Sequence, residues 1–256
     1  MKIMDKYPDV TTGYCEQHGE YEFKVTEMPI GPKFMVVDGC PECARLEQEE
    51  ADRLAAEEAK AQEAQDLIRR KQSAGLRKRH MTCSLDNYKA TTESQKTALG
   101  EVRAFLSNVL SGKGGNMVLA GRVGTGKTHL AAGVISALTE AKYHCKIIKL
   151  PELIRAIKSS WANGSDLSES EIIHNLSGLK LLIVDEIGVQ YGSDTEKLLL
   201  SEIIDNRYQE MLPTMLISNL DVDGIRKCIG ERCYDRLKED GGKVVAFDWE
   251  SARGAA

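Results

Sequence analysis

The sequence lacks the features that define membrane-spanning, secreted and strongly basic nucleic-acid-binding proteins. No stretch approaches the ~18 consecutive apolar residues that suggest a membrane-spanning helix. The N-terminal residues, MKIMDKYPDVTTG, contain no apolar core of the kind found in secretory signals. The net charge of −5, from 34 basic and 39 acidic residues, gives no overall nucleic-acid footprint, so any such contact must be local. We therefore expect a cytoplasmic protein that does not associate with membranes.

The seven cysteines are not expected to form disulfides, because the cytoplasm keeps thiols reduced. Four of them lack the paired spacing of a metal site, namely Cys83, Cys145, Cys228 and Cys233. Cys145 is expected to lie in the core, and Cys228 and Cys233 are interpreted as packing residues.

The other three cysteines and one histidine form two close pairs, Cys15-x-x-His18 and Cys40-x-x-Cys43, with 21 residues between the pairs. Structural Zn²⁺ sites take four tetrahedral sulfur and nitrogen ligands, which two such pairs supply. An alternating run at residues 21–25 favours a small ribbon, which has too little core to fold without a metal. The sequence predicts a closed, structural zinc site in a module covering residues 1–43. Free cysteines at a chance spacing are the alternative.

Residues 44–80 are charged, rich in alanine and free of proline, which favours a helical linker. Residues 44–65 carry seven acidic and three basic side chains, whereas residues 66–80 carry six basic side chains and one acidic side chain. Alanine dominates the apolar positions, so the helix has little surface to bury. Two interpretations remain: a solvated linker, or a linker whose basic half contacts nucleic acid or an acidic partner.

The sequence GRVGTGKT at residues 121–128 matches the complete phosphate-loop pattern GxxxxGK[ST]. A strand-like run precedes it and a helical pattern follows it, which is the context that the motif requires. The glycines allow the backbone N–H groups to face phosphates. Lys127 is predicted to reach the β- and γ-phosphates of ATP, and Thr128 to bind Mg²⁺. The predicted ATP contacts of the loop are Gly121, Arg122, Val123, Gly124, Thr125, Gly126, Lys127 and Thr128.

A second motif, LLIVDE at residues 181–186, is an apolar run followed by two acids. The run is typical of a parallel strand that is buried on both faces. Asp185 is then expected at the carboxyl end of the strand, where ligands bind in open α/β sheets, and is predicted to hold Mg²⁺ opposite Thr128. Glu186 is predicted to polarise the attacking water.

Strand and helix patterns alternate through residues 81–256, which predicts an α/β domain with a parallel sheet flanked by helices on both faces. The predicted strands lie at residues 117–120, 145–150, 181–184, 214–217 and 244–247. The predicted helices lie at residues 94–110, 127–138, 151–161, 168–176, 195–211, 222–229 and 232–239.

Three more side chains are candidates for the chemistry at the γ-phosphate. Asn219 follows the fourth predicted strand and is expected to orient the water; an asparagine that starts an ordinary turn is the alternative. Arg232 and Arg236 lie four residues apart on one helix face, which also fits ion pairs with Glu231 or Asp235. In oligomeric ATPases an arginine of one subunit completes the site of its neighbour. Arg236 is predicted for that role, with Arg232 next.

From about residue 66 to residue 253 the sequence resembles the AAA+ ATPases of the DnaC-type replicative helicase loaders and their IstB-type relatives, which assist transposition. The resemblance is carried by GLRKRHMTCSLDNY at residues 75–88, then GRVGTGKTHLAAG, LLIVDEIGVQ, ISN, GERCYDRL and FDWESAR, in the family's order. The pairing of GER with DR in one short helix is the more family-specific signal.

The resemblance implies a loader that binds a hexameric DnaB-type helicase and places it on single-stranded DNA under control of ATP. It implies that Arg236 acts on the nucleotide of a neighbouring subunit in a self-associated complex, and that Arg253 senses nucleotide in its own subunit. Trp161 falls where the family uses an aromatic on single-stranded DNA, and such stacking contributes ~1–3 kcal/mol per base. A core residue at a helix end is the alternative for Trp161.

The sequence departs from the family pattern in three places. Residues 192–195, GSDT, replace a second aromatic, for which Tyr191 is the nearest substitute. Nine residues follow the last predicted strand, so residues 81–256 are expected to form an ATPase domain without a full lid. The predicted zinc module replaces the helical helicase-binding domain of the best-known loader, so the helicase contact is expected to differ or to involve the ribbon.

Three functions compete on this basis. The leading prediction is an ATP-dependent helicase loader in DNA replication. An IstB-like helper of a DNA transposase shares the same ATPase core and would bind duplex DNA. The third function is a nucleotide-gated adaptor that binds a partner through the zinc module and does not hydrolyse ATP. A water-activating role of Glu186 would distinguish an ATPase from this adaptor.

Overall fold

The chain divides into two compact units, residues 1–65 and residues 66–256. The computed structural model describes residues 11–23, 25–27, 35–37, 39–162, 165–188 and 194–251. Within these residues no helix is both long enough and apolar enough to cross a membrane.

The N-terminal unit is built from two short antiparallel pairs of strands. β1 (Thr11–Cys15) pairs with β2 (Gly19–Phe23), and β3 (Val25–Glu27) pairs with β4 (Met35–Val37). A turn of three residues joins β1 to β2, and it places His18 close to Cys15 at the end of the hairpin.

A single helix, α1 (Pro41–Ser73), contains the boundary between the two units. None of its 33 residues is buried, as its alanine-rich composition predicts. In its basic C-terminal half Arg69 pairs with Asp66, and Lys71 pairs with Glu140 at 2.8 Å. The first pair is a local contact within the helix, whereas the second joins the helix to a residue 69 positions further along the chain. A role for the basic cluster in partner binding stays a prediction.

The residues that follow α1 pack within the unit of residues 66–256. Ala74 and Leu76 are buried, and the carbonyl of Ala74 accepts a hydrogen bond from the backbone N–H of Ile147 at 2.8 Å. Gly75 has a φ of 94°, and a β-carbon at this position would lie 2.1 Å from the carbonyl oxygen of Ile147. The helix therefore ends seven residues before the predicted end of the linker at residue 80, and the chain continues along the edge of a strand.

Five parallel strands form the sheet of this unit, as predicted. They are β5 (Met117–Gly121), β6 (Cys145–Lys149), β7 (Leu181–Ile187), β8 (Thr214–Ser218) and β9 (Lys243–Phe247). Their order is β6-β7-β8-β5-β9, so β8 lies between the strand that precedes the phosphate loop and the strand that carries the two acids. The carboxyl ends of these three strands therefore meet at one edge of the sheet.

Helices cover both faces of the sheet. They are α2 (Glu93–Ser111), α3 (Lys127–Glu140), α4 (Leu150–Ser160), α5 (Glu169–Ser177), α6 (Asp194–Gln209), α7 (Val222–Ile229) and α8 (Glu231–Lys238). Along β5, Met117 and Leu119 belong to one hydrophobic core, whereas Val118 and Ala120 belong to the other. This alternation shows that the strand is buried on both faces, which confirms the predicted α/β architecture. Cys145 is buried in the first core, as expected.

An arginine is the largest side chain that is completely buried in the described part of the chain. Arg207, near the end of α6, is 0% exposed, and burial lowers its pKa to about 9. Its guanidinium donates hydrogen bonds of 2.5–3.1 Å to the carbonyls of Leu176, Ser177, Leu179 and Pro213 and to the hydroxyl of Thr214. Arg207 thus joins the end of α5, the end of α6 and the start of β8, and sequence patterning did not identify it.

Candidate nucleotide site and metal cluster

A cavity of about 420 Å³ lies at the carboxyl edge of the sheet, where β5 ends and α3 begins. It is lined by residues 123–128 of the phosphate loop and by Lys149, Asp185, Glu186 and Asn219, whereas Gly121 and Arg122 do not line it. The structure therefore brings the predicted loop, both acids and the predicted water-orienting amide into one site. Sequence analysis did not assign Lys149 to this site.

The phosphate loop has the backbone shape that its glycines predict. Gly121, Gly124 and Gly126 all have φ values in the left-handed region, between 83° and 128°. Lys127 is 5% exposed, and its Nζ donates hydrogen bonds to the carbonyls of Gly121 at 2.7 Å and Arg122 at 2.6 Å. The ammonium group thus lies inside the loop, where phosphate oxygens could replace these carbonyl partners.

The two predicted magnesium ligands contact each other directly. The Thr128 hydroxyl donates a hydrogen bond of 3.0 Å to Oδ2 of Asp185, although the residues lie 57 positions apart. Burial raises the pKa of Asp185, while hydrogen bonds from the backbone N–H of Glu186 and from Thr128 act in the opposite direction. A hydroxyl and a carboxylate are oxygen ligands of the kind that Mg²⁺ prefers, so this pair fits the ion beside the phosphates of a nucleotide.

Glu186 is held in an unusual conformation at the edge of the site. Its φ of 62° lies in the left-handed region, and the pairing of β7 with β8 shifts register between Val184 and Ile187. Residues other than glycine rarely adopt this backbone conformation because it is strained, and strained residues are concentrated at functional sites. The carboxylate forms an ion pair with Lys149. Lys149 ends β6 opposite Asp185, which explains how a lysine from another strand reaches the glutamate.

Asn219 directly follows β8 and is exposed at the same cavity. Below it, the Ser218 hydroxyl donates a hydrogen bond of 2.7 Å to the carbonyl of Ile187. This bond joins the ends of β7 and β8 and fixes the backbone from which the amide projects. This position is compatible with the predicted role of Asn219 in orienting a water molecule, and that role stays a prediction.

The two candidate arginines of α8 contact Asp205 of α6. Arg236 is 16% exposed, pairs with Asp205 and lies over the ring of Tyr208 at 5.2 Å. Arg232 is 74% exposed and lies 3.6 Å from the same carboxylate. Neither arginine lines the cavity of its own chain. A role for Arg236 in a neighbouring site therefore requires its release from Asp205, and that role stays a prediction.

Trp161 is not a core residue. It follows the last residue of α4, is 52% exposed and donates a hydrogen bond from its indole N–H to Glu169. The structure thus contradicts the alternative of a buried helix end and leaves contact with single-stranded DNA as the prediction. Arg253 and Tyr191, which were also assigned to nucleotide or DNA, lie outside the described residues.

The four predicted metal ligands form one cluster in the N-terminal unit. The ligand atoms of Cys15, His18, Cys40 and Cys43 all lie within 4.8 Å of one another. His18 Nδ1 lies 3.7, 3.6 and 3.3 Å from the sulfurs of Cys15, Cys40 and Cys43, respectively. A tetrahedral ion ~2.3 Å from sulfur and ~2.1 Å from nitrogen separates its ligand atoms by about 3.5–3.8 Å. The cluster therefore fits a four-coordinate metal ion.

Comparisons with known proteins identify relatives of the part of the chain that contains the nucleotide cavity. A family model described as IstB-like ATP binding protein matches residues 44–236. The replicative helicase loader DnaC of Escherichia coli strain K12 is 34% identical over 180 residues, covering 70% of this chain and 73% of the relative. DnaC of Buchnera aphidicola subsp. Schizaphis graminum is 32% identical over 200 residues, covering 77% of this chain and 78% of the relative.

The fold is also similar to a solved structure. The crystal structure of the DnaC helicase loader matches with a TM-score of 0.60 and 23% identity, covering 67% of this chain and all of that one. The match shows that the α/β unit has a fold like that of the DnaC helicase loader.

Proposed function

The chain belongs to the IstB-like ATP-binding protein family, and we propose that it is a loader of a replicative DNA helicase. It binds a hexameric helicase of the DnaB type and places the ring on single-stranded DNA, with ATP controlling binding and release. The observation that carries the proposal is the similarity to replicative helicase loaders over about three-quarters of both chains. The protein acts in the cytoplasm, where the replicating DNA is.

The cavity supports hydrolysis of ATP as well as binding. Lys127 binds the β- and γ-phosphates, while Thr128 and Asp185 hold Mg²⁺, which neutralises phosphate charge when it is bound. Glu186 polarises the attacking water, and Asn219 orients it. Arg253 senses the nucleotide within its own subunit.

Lys127→Ala is expected to weaken ATP binding by at least about 100-fold, because a buried charge-assisted contact to two phosphates is lost. Equilibrium titration with a fluorescent ATP analogue measures the change. Lys113→Ala, which removes an exposed lysine from a loop, is the matched control and should bind as the unaltered protein does. Normal ATP affinity in Lys127→Ala would remove the phosphate loop as the nucleotide site.

We infer that the site is completed between subunits. Arg236 leaves Asp205 when the loader assembles on the helicase and reaches the γ-phosphate of the neighbouring subunit. Trp161 is exposed and available for stacking on a base of the single strand. The DNA contact is thus local, in agreement with the net negative charge of the chain.

The metal cluster is proposed to be a structural zinc site in a module of residues 1–43, joined by a linker of residues 44–80 to the ATPase domain. Four protein ligands leave no open position for catalysis. The combined variant Cys40→Ser and Cys43→Ser is expected to lose about one zinc ion per chain and to unfold the module, because metal binding supplies its folding energy.

Elemental analysis of purified protein measures the zinc, and protease sensitivity of the N-terminal residues reports the unfolding. Cys228→Ser, which alters a thiol outside the cluster, is the control and should keep its metal. Unaltered protein that is purified without chelators and contains no metal would contradict the zinc assignment.

Co-purification with the cognate replicative helicase tests the loader proposal. Tagged helicase should retain the protein, and the amount retained should depend on ATP. The same experiment with a transposase tests the alternative function, a helper of a DNA transposase. This alternative is retained because the matching family is described as IstB-like. Retention by the transposase and not by the helicase would favour a transposition helper.

A further inference from the structure

The carbonyl oxygen of Thr125, in the second half of the phosphate loop, accepts two hydrogen bonds from side chains outside the loop. The indole N–H of Trp249 donates one at 3.0 Å, and the hydroxyl of Tyr88 donates the other at 3.2 Å. A carbonyl oxygen has two lone pairs, so these two donors use its full capacity. Neither ring is among the residues that line the nucleotide cavity.

Tyr88 is itself held in place by neighbouring groups. Its ring packs edge-on against the ring of His129 at a centroid distance of 5.6 Å. His129 Nε2 lies 2.9 Å from the side-chain oxygen of Asn87 and 3.2 Å from the carbonyl of Ser84. Burial raises the pKa of Tyr88, so the hydroxyl keeps its proton and acts as a donor at neutral pH.

Trp249 reaches the same carbonyl from a different part of the chain, two residues after β9. Its ring packs on the ring of Phe247 at 4.6 Å, and Phe247 is completely buried. The carbonyl of Phe247 accepts a hydrogen bond of 2.9 Å from the backbone N–H of Arg122. The end of β9 and the residues after it therefore fix the loop at two points, Arg122 near its start and Thr125 in its second half.

The direction of the Thr125 carbonyl determines the direction of the next backbone N–H. In a trans peptide the C=O and N–H groups point in opposite directions, and the described part of the chain contains no cis peptide. Because the carbonyl points out of the loop to Tyr88 and Trp249, the N–H of Gly126 points the other way, and Gly126 lines the cavity.

We propose that Tyr88 and Trp249 are positioning residues that hold the Thr125–Gly126 peptide so that its N–H faces the phosphates of the bound nucleotide. This inference rests on the proposed nucleotide site. The two rings touch no phosphate; they act through the backbone of the loop. A loop whose N–H groups already face the ligand loses less conformational freedom on binding.

The packing on the outer side of the loop gives its glycines a second role. A β-carbon on Gly126 would lie 2.6 Å from the ring of Tyr88, and a β-carbon on Gly121 would lie 2.3 Å from the carbonyl oxygen of Phe247. Both distances are too short for a side chain. The glycines therefore admit Tyr88 and Phe247 to the outer side of the loop as well as leaving room for phosphate on its inner side.

Titration of fluorescent ATP tests the proposal with Tyr88→Phe, Trp249→Phe and the combined variant. Each substitution keeps an aromatic ring and removes the hydrogen-bond donor, and Trp249→Phe also removes one ring of the indole. One neutral hydrogen bond contributes about 0.5–1.5 kcal/mol, so each single variant should raise Kd about two- to thirteenfold, and the combined variant should raise it further. Tyr143→Phe is the matched control, because Tyr143 lies between α3 and β6 and does not line the nucleotide cavity.

Two further measurements distinguish positioning of the loop from direct contact between the rings and the nucleotide base, and from a general loss of folding. Inorganic triphosphate should compete for the site more weakly in the variants by the same factor as ATP, because the loop and not the base is affected. The melting temperatures should stay within a few degrees of the unaltered protein. Unchanged competition by triphosphate together with weaker ATP binding would instead assign both rings to the base and overturn the proposal.

The outcomes also separate this proposal from the proposed function. Equal Kd values for the unaltered protein and the combined variant would overturn the positioning role and leave the nucleotide site in place. Absence of nucleotide binding in the unaltered protein would overturn both.

Discussion

Glu186→Gln is expected to bind ATP with nearly normal affinity and to lose hydrolysis by about two to three orders of magnitude. A positioned general base contributes about 10²–10⁴-fold to rate, and an amide of the same shape cannot accept a proton. The phosphate loop, Thr128 and Asp185 are untouched, so the nucleotide should still bind. Phosphate release under saturating ATP measures turnover, and titration of a fluorescent analogue measures affinity.

Two controls define what the loss means. Glu210→Gln alters an exposed glutamate directly after α6 and should hydrolyse ATP as the unaltered protein does. Lys149→Met removes the ion-pair partner of Glu186 and keeps the carboxylate. A fall of equal size in Lys149→Met would assign the loss to the ion pair, and unchanged turnover in Glu186→Gln would remove Glu186 as the water-activating residue and favour the non-hydrolysing adaptor.

Arg207→Met is expected to lower the free energy of unfolding by about 3 kcal/mol or more, because each buried acceptor left without a donor costs about 1–3 kcal/mol. Because methionine fills much of the same volume, the decrease in the free energy of unfolding measures the lost hydrogen bonds and not the effect of a cavity. Arg207→Lys should also be destabilising, since an ammonium group cannot reach acceptors on α5 and β8 with the fixed fork of a guanidinium.

Urea denaturation followed by circular dichroism measures the change. Arg155→Met, at an exposed arginine of α4, is the matched control and should alter the free energy of unfolding by less than about 0.5 kcal/mol. A loss below about 1 kcal/mol in Arg207→Met would show that the five hydrogen bonds contribute little to stability.

The structural features that the sequence predicted correctly are those that local sequence patterns determine. The apolar runs of β7 and β8 and the phosphate loop each specify their own conformation, so the sheet and the loop were predictable. The parallel arrangement then brought Asp185 to Thr128, because the carboxyl ends of the strands meet at one edge. The cluster of Cys15, His18, Cys40 and Cys43 was predictable from spacing alone.

Side chains that act across distant segments were not predictable. Patterning assigns charged residues to the solvent, so a fully buried arginine contradicts it. The local indication was that Arg207 follows buried Ile203 and Ile204 at helical spacing and therefore continues their inward face. Lys149 likewise ends an edge strand, and its contact with Glu186 depends on the register between β6 and β7.

The aromatic contacts with the phosphate loop illustrate the same limit. Tyr88 and Trp249 lie 37 and 124 positions from Thr125 in sequence, and no spacing rule connects them. The motif is local, but the support for its shape comes from both ends of the unit of residues 66–256. The end of α1 is a further case, because the chain leaves the helix where a neighbouring strand edge offers hydrogen bonds.

Loading of the cognate replicative helicase onto closed circular single-stranded DNA tests the central claim most directly. A circle has no end to thread, so a closed ring can encircle it only if the ring is opened. With ATP, the unaltered protein should place the helicase on the circle, and the helicase should then displace an annealed oligonucleotide; helicase alone and Lys127→Ala should give little displacement. Displacement that is the same with and without the protein would contradict the loader function.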